Sequence, residues 1–259
     1  MRNTGVRRPV DLNGTVIGDG SYLLCIPVLS ETKEGILSDV KHAIASKADM
    51  LEWRIDCWEE YPRIEPAIQL AYAIRELAGA VPILVTPRSR RENNYKAEDI
   101  TDEEKFSLVY TLANTTLFEA FDVEYFYGEK VIRKVADELH KKNCRLLISK
   151  HVRAGVLDDN GIREVLTNMQ VWGGDIAKLC VFNETFVQFF WYVNQIKRAR
   201  ETYIDIPMVT VAASDPSGIS RALGDVWGTD MIFVTSDGSR QPGIDDLRKF
   251  RRMIWPEES

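Results

Sequence analysis

The stretch GDIAKLCVF (residues 174–182) decides how the chain is read. It follows a Gly-Gly break and is apolar on both alternating faces, as a short strand is when a parallel sheet is covered on each side. One lysine, Lys178, stands in its middle. An ammonium in such a place must reach water, pair with an acid or lose its proton, because burial disfavours the charged form. A desolvated lysine is also the starting point for amine nucleophiles that form Schiff bases. Taken alone, Lys178 reads as a strand-end residue reaching solvent, so its surroundings must decide.

Seven other runs share the strand pattern, over residues 22–29, 48–56, 82–88, 117–125, 144–151, 207–214 and 231–236. Between and after them lie segments with helical spacing at 32–45, 65–77, 101–113, 129–141, 159–169, 184–200, near 220–227, and 244–253. Eight strands alternating with eight helices in a chain of 259 residues predict a (β/α)8 TIM barrel, one domain over 1–259. The rival is a doubly wound open sheet, but no G-x-G-x-x-G follows the first strand. Ahead of the barrel, VDLNGTVIGDG (10–20) carries Asn-Gly and Asp-Gly signals compatible with a short hairpin.

With a net charge of −6 and no basic block, neither nucleic acid nor an anionic membrane surface is an expected partner. The small cluster KRAR (197–200) falls at a helix C-terminus, where cations suit the dipole. Cys25, Cys57, Cys144 and Cys180 form no CxxC pair and have no zinc-type histidine spacing, so a reducing, cytoplasmic setting and no metal are expected. No run is long enough to span a bilayer, and the first residues lack a secretory apolar segment.

In barrels of this kind the chemistry sits at the C-terminal ends of the strands. There the sequence places Glu52, Arg54 and Asp56, then Arg88 with Arg90, Arg91 and Glu92. Asp122 and Glu124 follow, then Lys150 and His151, Lys178, Ser220 and Arg221, and finally Ser236, Ser239, Arg240 and Gln241. Glu52 and Arg54, two apart on a strand, are expected on one face, where they could form a structural ion pair. Asp122 and Glu124 read as structural rather than catalytic. His42 and His140 fall within helices and are expected near the surface, whereas His151 ends the strand next to that of Lys178. That pairing turns the reading of the lysine towards chemistry.

These residues resemble the type I 3-dehydroquinate dehydratases over nearly the whole chain. The resemblance rests on ADMLEWRID (48–56), the run from Arg88 to Glu92, LLISKH (146–151), DIAKL (175–179), SGISR (217–221) and the Pro242-Gly243 pair. It implies a cofactor-free hydro-lyase of the shikimate pathway. Lys178 would form an imine with the ring ketone, and His151 would take a proton from the neighbouring carbon and help the β-hydroxyl leave as water. Glu92 would orient the histidine, and Arg221 would clamp the substrate carboxylate. Glu52, Arg54 and Arg88 would hold the ring hydroxyls and carbonyl region, with Arg240 and Gln241 in the loop after the eighth strand. A homodimer is implied too, and the aromatic run 186–192 reads either as its interface or as a helix face buried against the barrel. The chain departs from the family pattern at Asn93-Asn94 (Gly-Gly there), at Val152-Arg153 after the histidine, and in the lid. There Arg240 and Ile244 replace Ser and Gln. The added cations Lys150, Arg153 and Arg240 suggest a more anionic substrate. Two alternatives stand: a related Schiff-base lyase or aldolase acting on another cyclic keto acid, and a non-catalytic ligand-binding sensor derived from the enzyme.

Overall fold

A computed structural model describes residues 5–92, 100–213, 217–236 and 243–255. Each apolar run folds as a strand because its alternate side chains can be buried on both faces, inward to the barrel and outward to the helices. The chain opens with an antiparallel hairpin, β1 (Val10–Leu12) and β2 (Thr15–Ile17). The barrel follows as β3 (Leu23–Val28), α1 (Lys33–Ala45), β4 (Met50–Trp53), α2 (Ile64–Ala78), β5 (Ile83–Val85) and α3 (Asp102–Asn114). It continues through β6 (Ala120–Glu124), α4 (Gly128–His140), β7 (Arg145–Arg153), α5 (Asp159–Val171), β8 (Ile176–Phe182) and α6 (Phe186–Thr202). The last elements are β9 (Met208–Ala213), α7 (Ser217–Ala222), α8 (Gly224–Trp227), β10 (Met231–Phe233) and α9 (Ile244–Ile254).

The eight barrel strands are parallel and ordered β10-β3-β4-β5-β6-β7-β8-β9. The amide of Asp230, just before β10, donates to the carbonyl of Met208 on β9 at 2.8 Å, so the barrel is nearly closed. Two apolar clusters result. The larger lies between strands and helices, and the smaller fills the barrel with Leu23, Met50, Leu84, Leu147, Ile176 and Val209 among its members. Val10, Leu12 and Ile17 of the hairpin join the inner cluster and close its floor. Two residues further along β4, β6, β7 and β8 the inward positions turn polar, with Glu52, Asp122, Ser149 and Lys178 respectively. The period of two thus stacks a charged layer directly on an apolar one.

Gly174 permits the entry into β8. A Cβ there would lie 2.6 Å from the Met169 carbonyl oxygen and 2.8 Å from Ile148 Cδ1, so no larger residue lets the chain approach so closely. Three expectations are corrected. The second and third barrel strands are shorter than read, because β4 ends at Trp53 and a 3₁₀ turn over Ile55–Cys57 follows, while β5 ends at Val85. The helix expected near 220–227 is two short ones, α7 and α8. The backbone leaves the helical range at Leu223 (φ −123°, ψ 19°), and Gly224 packs on Tyr22, whose hydroxyl oxygen would stand 2.5 Å from a Cβ there. His42 and His140 are exposed, as expected. Helix α6 combines both readings of its aromatic run: Phe189 and Tyr192 are buried against the barrel, while Phe186, Val187 and Phe190 are exposed. No described helix is long and apolar enough to cross a membrane.

Candidate active site

Lys178 is 5% exposed, at the centre of the charged layer. Its Nζ lies 3.5 Å from Glu52 Oε1 and 3.6 Å from Asp122 Oδ2, and 4.3 Å from the centre of the Phe233 ring. Burial therefore does not leave the lysine to find water: two carboxylates and one aromatic face receive it. Glu52 is held in turn by Thr86, whose hydroxyl donates at 2.8 Å. Asp122 accepts from the Ser149 hydroxyl at 2.6 Å and from Arg88 Nη2 at 2.6 Å, and Arg88 Nη1 also donates to Ser149 Oγ at 2.7 Å. Burial would raise the Asp122 carboxyl, but Arg88 and Lys178 outweigh it and hold it at about 2. Burial likewise works against the Arg88 charge, and Asp122, Glu124 and Glu92 outweigh it.

His151 stands one rung above. In the β7–β8 register Ser149 pairs with Lys178 and His151 with Cys180, so Ser149, His151 and Arg153 follow one another on one face of β7. The Cα atoms of His151 and Lys178 are therefore about 8 Å apart by strand geometry, a gap a small cyclic molecule can fill. His151 Nδ1 is 2.6 Å from Glu92 Oε2, which lies 3.4 Å from Arg88 Nη1. Burial disfavours the charged form of both partners. It pushes the Glu92 carboxyl up to about 7 against the pull of Arg88, with Glu124 and Asp122 adding to the rise. It pushes the His151 imidazole down to about 3, with Arg88 and Lys178 in the same direction.

Arg54 does not pair with Glu52. The strand has ended, and Arg54 turns to make a bidentate pair with Asp56 at 2.9 and 2.8 Å. Arg221, at the end of α7, is largely buried, and its Nε has no hydrogen-bond partner among the described residues. The segment that carries it is tied down from two sides. Tyr22 donates to the Arg221 carbonyl at 2.8 Å, and Arg251 on α9 makes a bidentate pair with Asp225 at 3.0 and 2.9 Å. Arg240 and Gln241 lie outside the described residues. Lys150 points to the other face of β7, with its Nζ 4.6 Å from the centre of the Tyr125 ring. Among the described residues no three His, Cys, Asp or Glu side chains gather as a metal site would require.

Sequence reasoning passed over Thr86, Ser149 and Lys105. Ser149 carried a usable signal, since it stands two residues before His151 on the same face of β7, whereas Thr86 lies just past the end of β5, beyond the reach of that period. Lys105 carried none. It sits on α3, 2% exposed, and bonds Glu124 Oε2, while Glu124 Oε1 accepts from the Ser89 amide at 2.6 Å. A helix on the outside thus fixes the turn between Arg88 and Glu92.

Fold and site together define a (β/α)8 barrel enzyme with a buried lysine and a carboxylate-paired histidine at the C-terminal ends of adjacent strands. The family model for type I 3-dehydroquinase matches residues 24–254, and the chain belongs to that family. It is 28% identical to the 3-dehydroquinate dehydratase of Clostridioides difficile strain 630, over 96% of this chain and 97% of that one. It is 26% identical to that of Klebsiella pneumoniae subsp. pneumoniae, over 95% and 97%. Among solved structures, the type I enzyme of Clostridium difficile with covalently modified comenic acid superposes with a TM-score of 0.92 at 26% identity, over 97% of this chain and 99% of that one. The enzyme of Geobacillus kaustophilus shares the fold at 0.91 and 24% identity, over 98% and 99%.

Proposed function

We propose that this chain dehydrates 3-dehydroquinate through an imine on Lys178, as a hydro-lyase of the shikimate pathway. The observation that carries the reading is Lys178, held between Glu52 and Asp122 one rung below a histidine bonded to Glu92. The full-length similarity to named 3-dehydroquinate dehydratases supports the substrate. The covalently modified ligand in the C. difficile structure supports covalent chemistry in this fold.

In this reading the Lys178 Nζ gives a proton to a neighbouring carboxylate and adds to the ring ketone, and that proton leaves with the carbonyl oxygen as water, so that an iminium remains. The iminium withdraws electrons from the neighbouring carbon, and His151 Nε2 takes a proton from it to give an enamine. The enamine electrons return to expel the β-hydroxyl, which leaves as water with the proton that His151 carries. Hydrolysis of the conjugated iminium frees the amine and the enone product, so the net change is loss of one water. Glu92 fixes the imidazole through Nδ1, which leaves Nε2 to the substrate. Arg221, with an unpaired buried Nε, receives the substrate carboxylate, and Glu52, Arg54 and Arg88 hold the hydroxyls and carbonyl region. Arg240 and Gln241, outside the described residues, are assigned to substrate binding as well.

No disulfide joins Cys25, Cys57, Cys144 and Cys180, which supports a reducing, cytoplasmic setting. The exposed Phe186, Val187 and Phe190 on α6 are the face assigned to a second copy in a homodimer. Borohydride reduction during turnover tests the chemistry. The expected result is a substrate-derived mass on the peptide containing Lys178, absent in Lys178→Met. No adduct, or an adduct on another lysine, would overturn the mechanism.

A further inference from the structure

We propose that the cavity above His151 is a subsite for a phosphate-type oxyanion, built by Arg91, Arg153 and Asn183. The proposal deepens the reading of this same mouth. The cavity measures about 580 Å³ and is lined by Arg90, Arg91, Arg153, Glu92, His151 and Asn183 among others. Arg153 follows His151 on the same face of β7, one rung nearer solvent, so a group bound to it lies roughly 6–7 Å beyond the histidine.

The charge at this rim is unbalanced. Arg153 is exposed and has no acidic partner among the described residues, and Arg91 rests its guanidinium 5.0 Å from the centre of the Phe126 ring, also without an acid. Among the described residues two carboxylates line the wall, and with Glu92 committed to His151 and Arg88, Glu184 is the one described acid left to oppose the arginines. Guanidinium groups match oxyanions in charge and geometry, and phosphate best of all.

Asn183 names the anion more closely. It is 3% exposed, its Nδ2 donates to the Val181 carbonyl at 3.0 Å, and its Oδ1 is buried with no partner among the described residues. A buried acceptor left unpaired in a cavity wall asks for a donor. A bare dianion such as sulfate cannot donate, whereas hydrogen phosphate brings negative charge to the arginines and an O–H to Asn183. The phosphate could be carried by the substrate or arrive as free phosphate.

Titration calorimetry at neutral pH and constant ionic strength, with inorganic phosphate and inorganic sulfate as probes, tests this without relying on turnover. Saturable phosphate binding is expected, at least tenfold tighter than sulfate. Arg91→Ala/Arg153→Ala should weaken it at least tenfold, Asn183→Ala should erase the preference over sulfate, and Arg133→Ala, exposed on α4 and not among the lining residues, should change nothing. No saturable phosphate binding, equal binding by the double variant, or equal binding of the two anions by the wild type would each overturn the proposal. The source is read separately, from 3-dehydroquinate turnover. If phosphate raises KM and leaves kcat unchanged, the subsite lies on the substrate path and reads a group carried on a substrate. If phosphate changes kcat and leaves KM unchanged, the ligand is free phosphate. Absence of turnover would sink the dehydratase reading and leave the anion result standing.

Discussion

Glu92→Gln separates the work of the histidine from that of its partner. Below pH 7 the buried Glu92 carboxyl, raised to about 7, holds a proton, and the buried imidazole, lowered to about 3, is neutral. At 2.6 Å the acid then donates to Nδ1, which forces the ring hydrogen onto Nε2 and removes the lone pair that must accept the substrate proton. Above pH 7 the carboxylate accepts from Nδ1–H, and Nε2 is free. The rate constant kcat/KM should therefore climb about tenfold per pH unit up to 7 and level off above it. At pH 5 it should lie roughly 100-fold below the plateau, about 2.7 kcal/mol of barrier. A glutamine oxygen accepts from Nδ1–H at every pH, so the variant should lose this limb and keep its activity at pH 5 within about twofold of its own plateau. The imidazole itself titrates too low to matter there. The assay is the absorbance of the conjugated product, followed from pH 5 to 9. An unchanged limb near 7 in the variant, or a wild-type limb at 4–5, would refute the reasoning.

Lys105→Met should cost about 3 kcal/mol, because it leaves the buried Glu124 Oε2 without its cation and only the Ser89 amide and Arg88, at 3.8 Å, on the other oxygen. At this chain length that lowers the melting temperature by roughly 6–12 °C, and Lys105→Met/Glu124→Gln should recover much of it; a loss under about 1 kcal/mol would discount the pair. Arg221→Ala should lower kcat/KM for a carboxylate substrate roughly 100-fold, about 3 kcal/mol, with Arg221→Lys partly restoring it; a change below threefold would release Arg221 from that role. Asp122 titrates lower in the fold, at about 2, than in the unfolded chain, near 3.8. Its contribution of about 2 kcal/mol is thus present above pH 4 and lost as pH falls through 2. Acid unfolding of Asp122→Asn should lack that part of the slope, and an unchanged slope would place the acid sensitivity elsewhere.

Much of the site was legible because a barrel converts strand position into spatial position. Residues two apart on a strand share a face, and strand ends gather at one mouth, so Glu52, Arg88, His151 and Lys178 could be grouped from their places in the runs. Arg54 escaped that rule because β4 stops at Trp53, and once the backbone turns the period of two no longer applies. Lys150, adjacent to His151 in sequence, faces the opposite way for the same alternation that puts His151 in the site.

By itself, then, the chain's pattern of short apolar runs and helical segments determined the barrel and gathered its charged strand-end residues at one mouth, since both follow from local periodicity. Which charges neutralise one another was decided only in three dimensions. Lys178 is received by Glu52 from four strands away in the sheet order and by Asp122 from two, and Glu124 by a lysine on an outer helix. Such partners are chosen by distance and burial across elements, and no spacing along the chain encodes them. The lysine that began as an oddity in an apolar strand is, in the folded protein, held between two carboxylates and an aromatic face at the mouth.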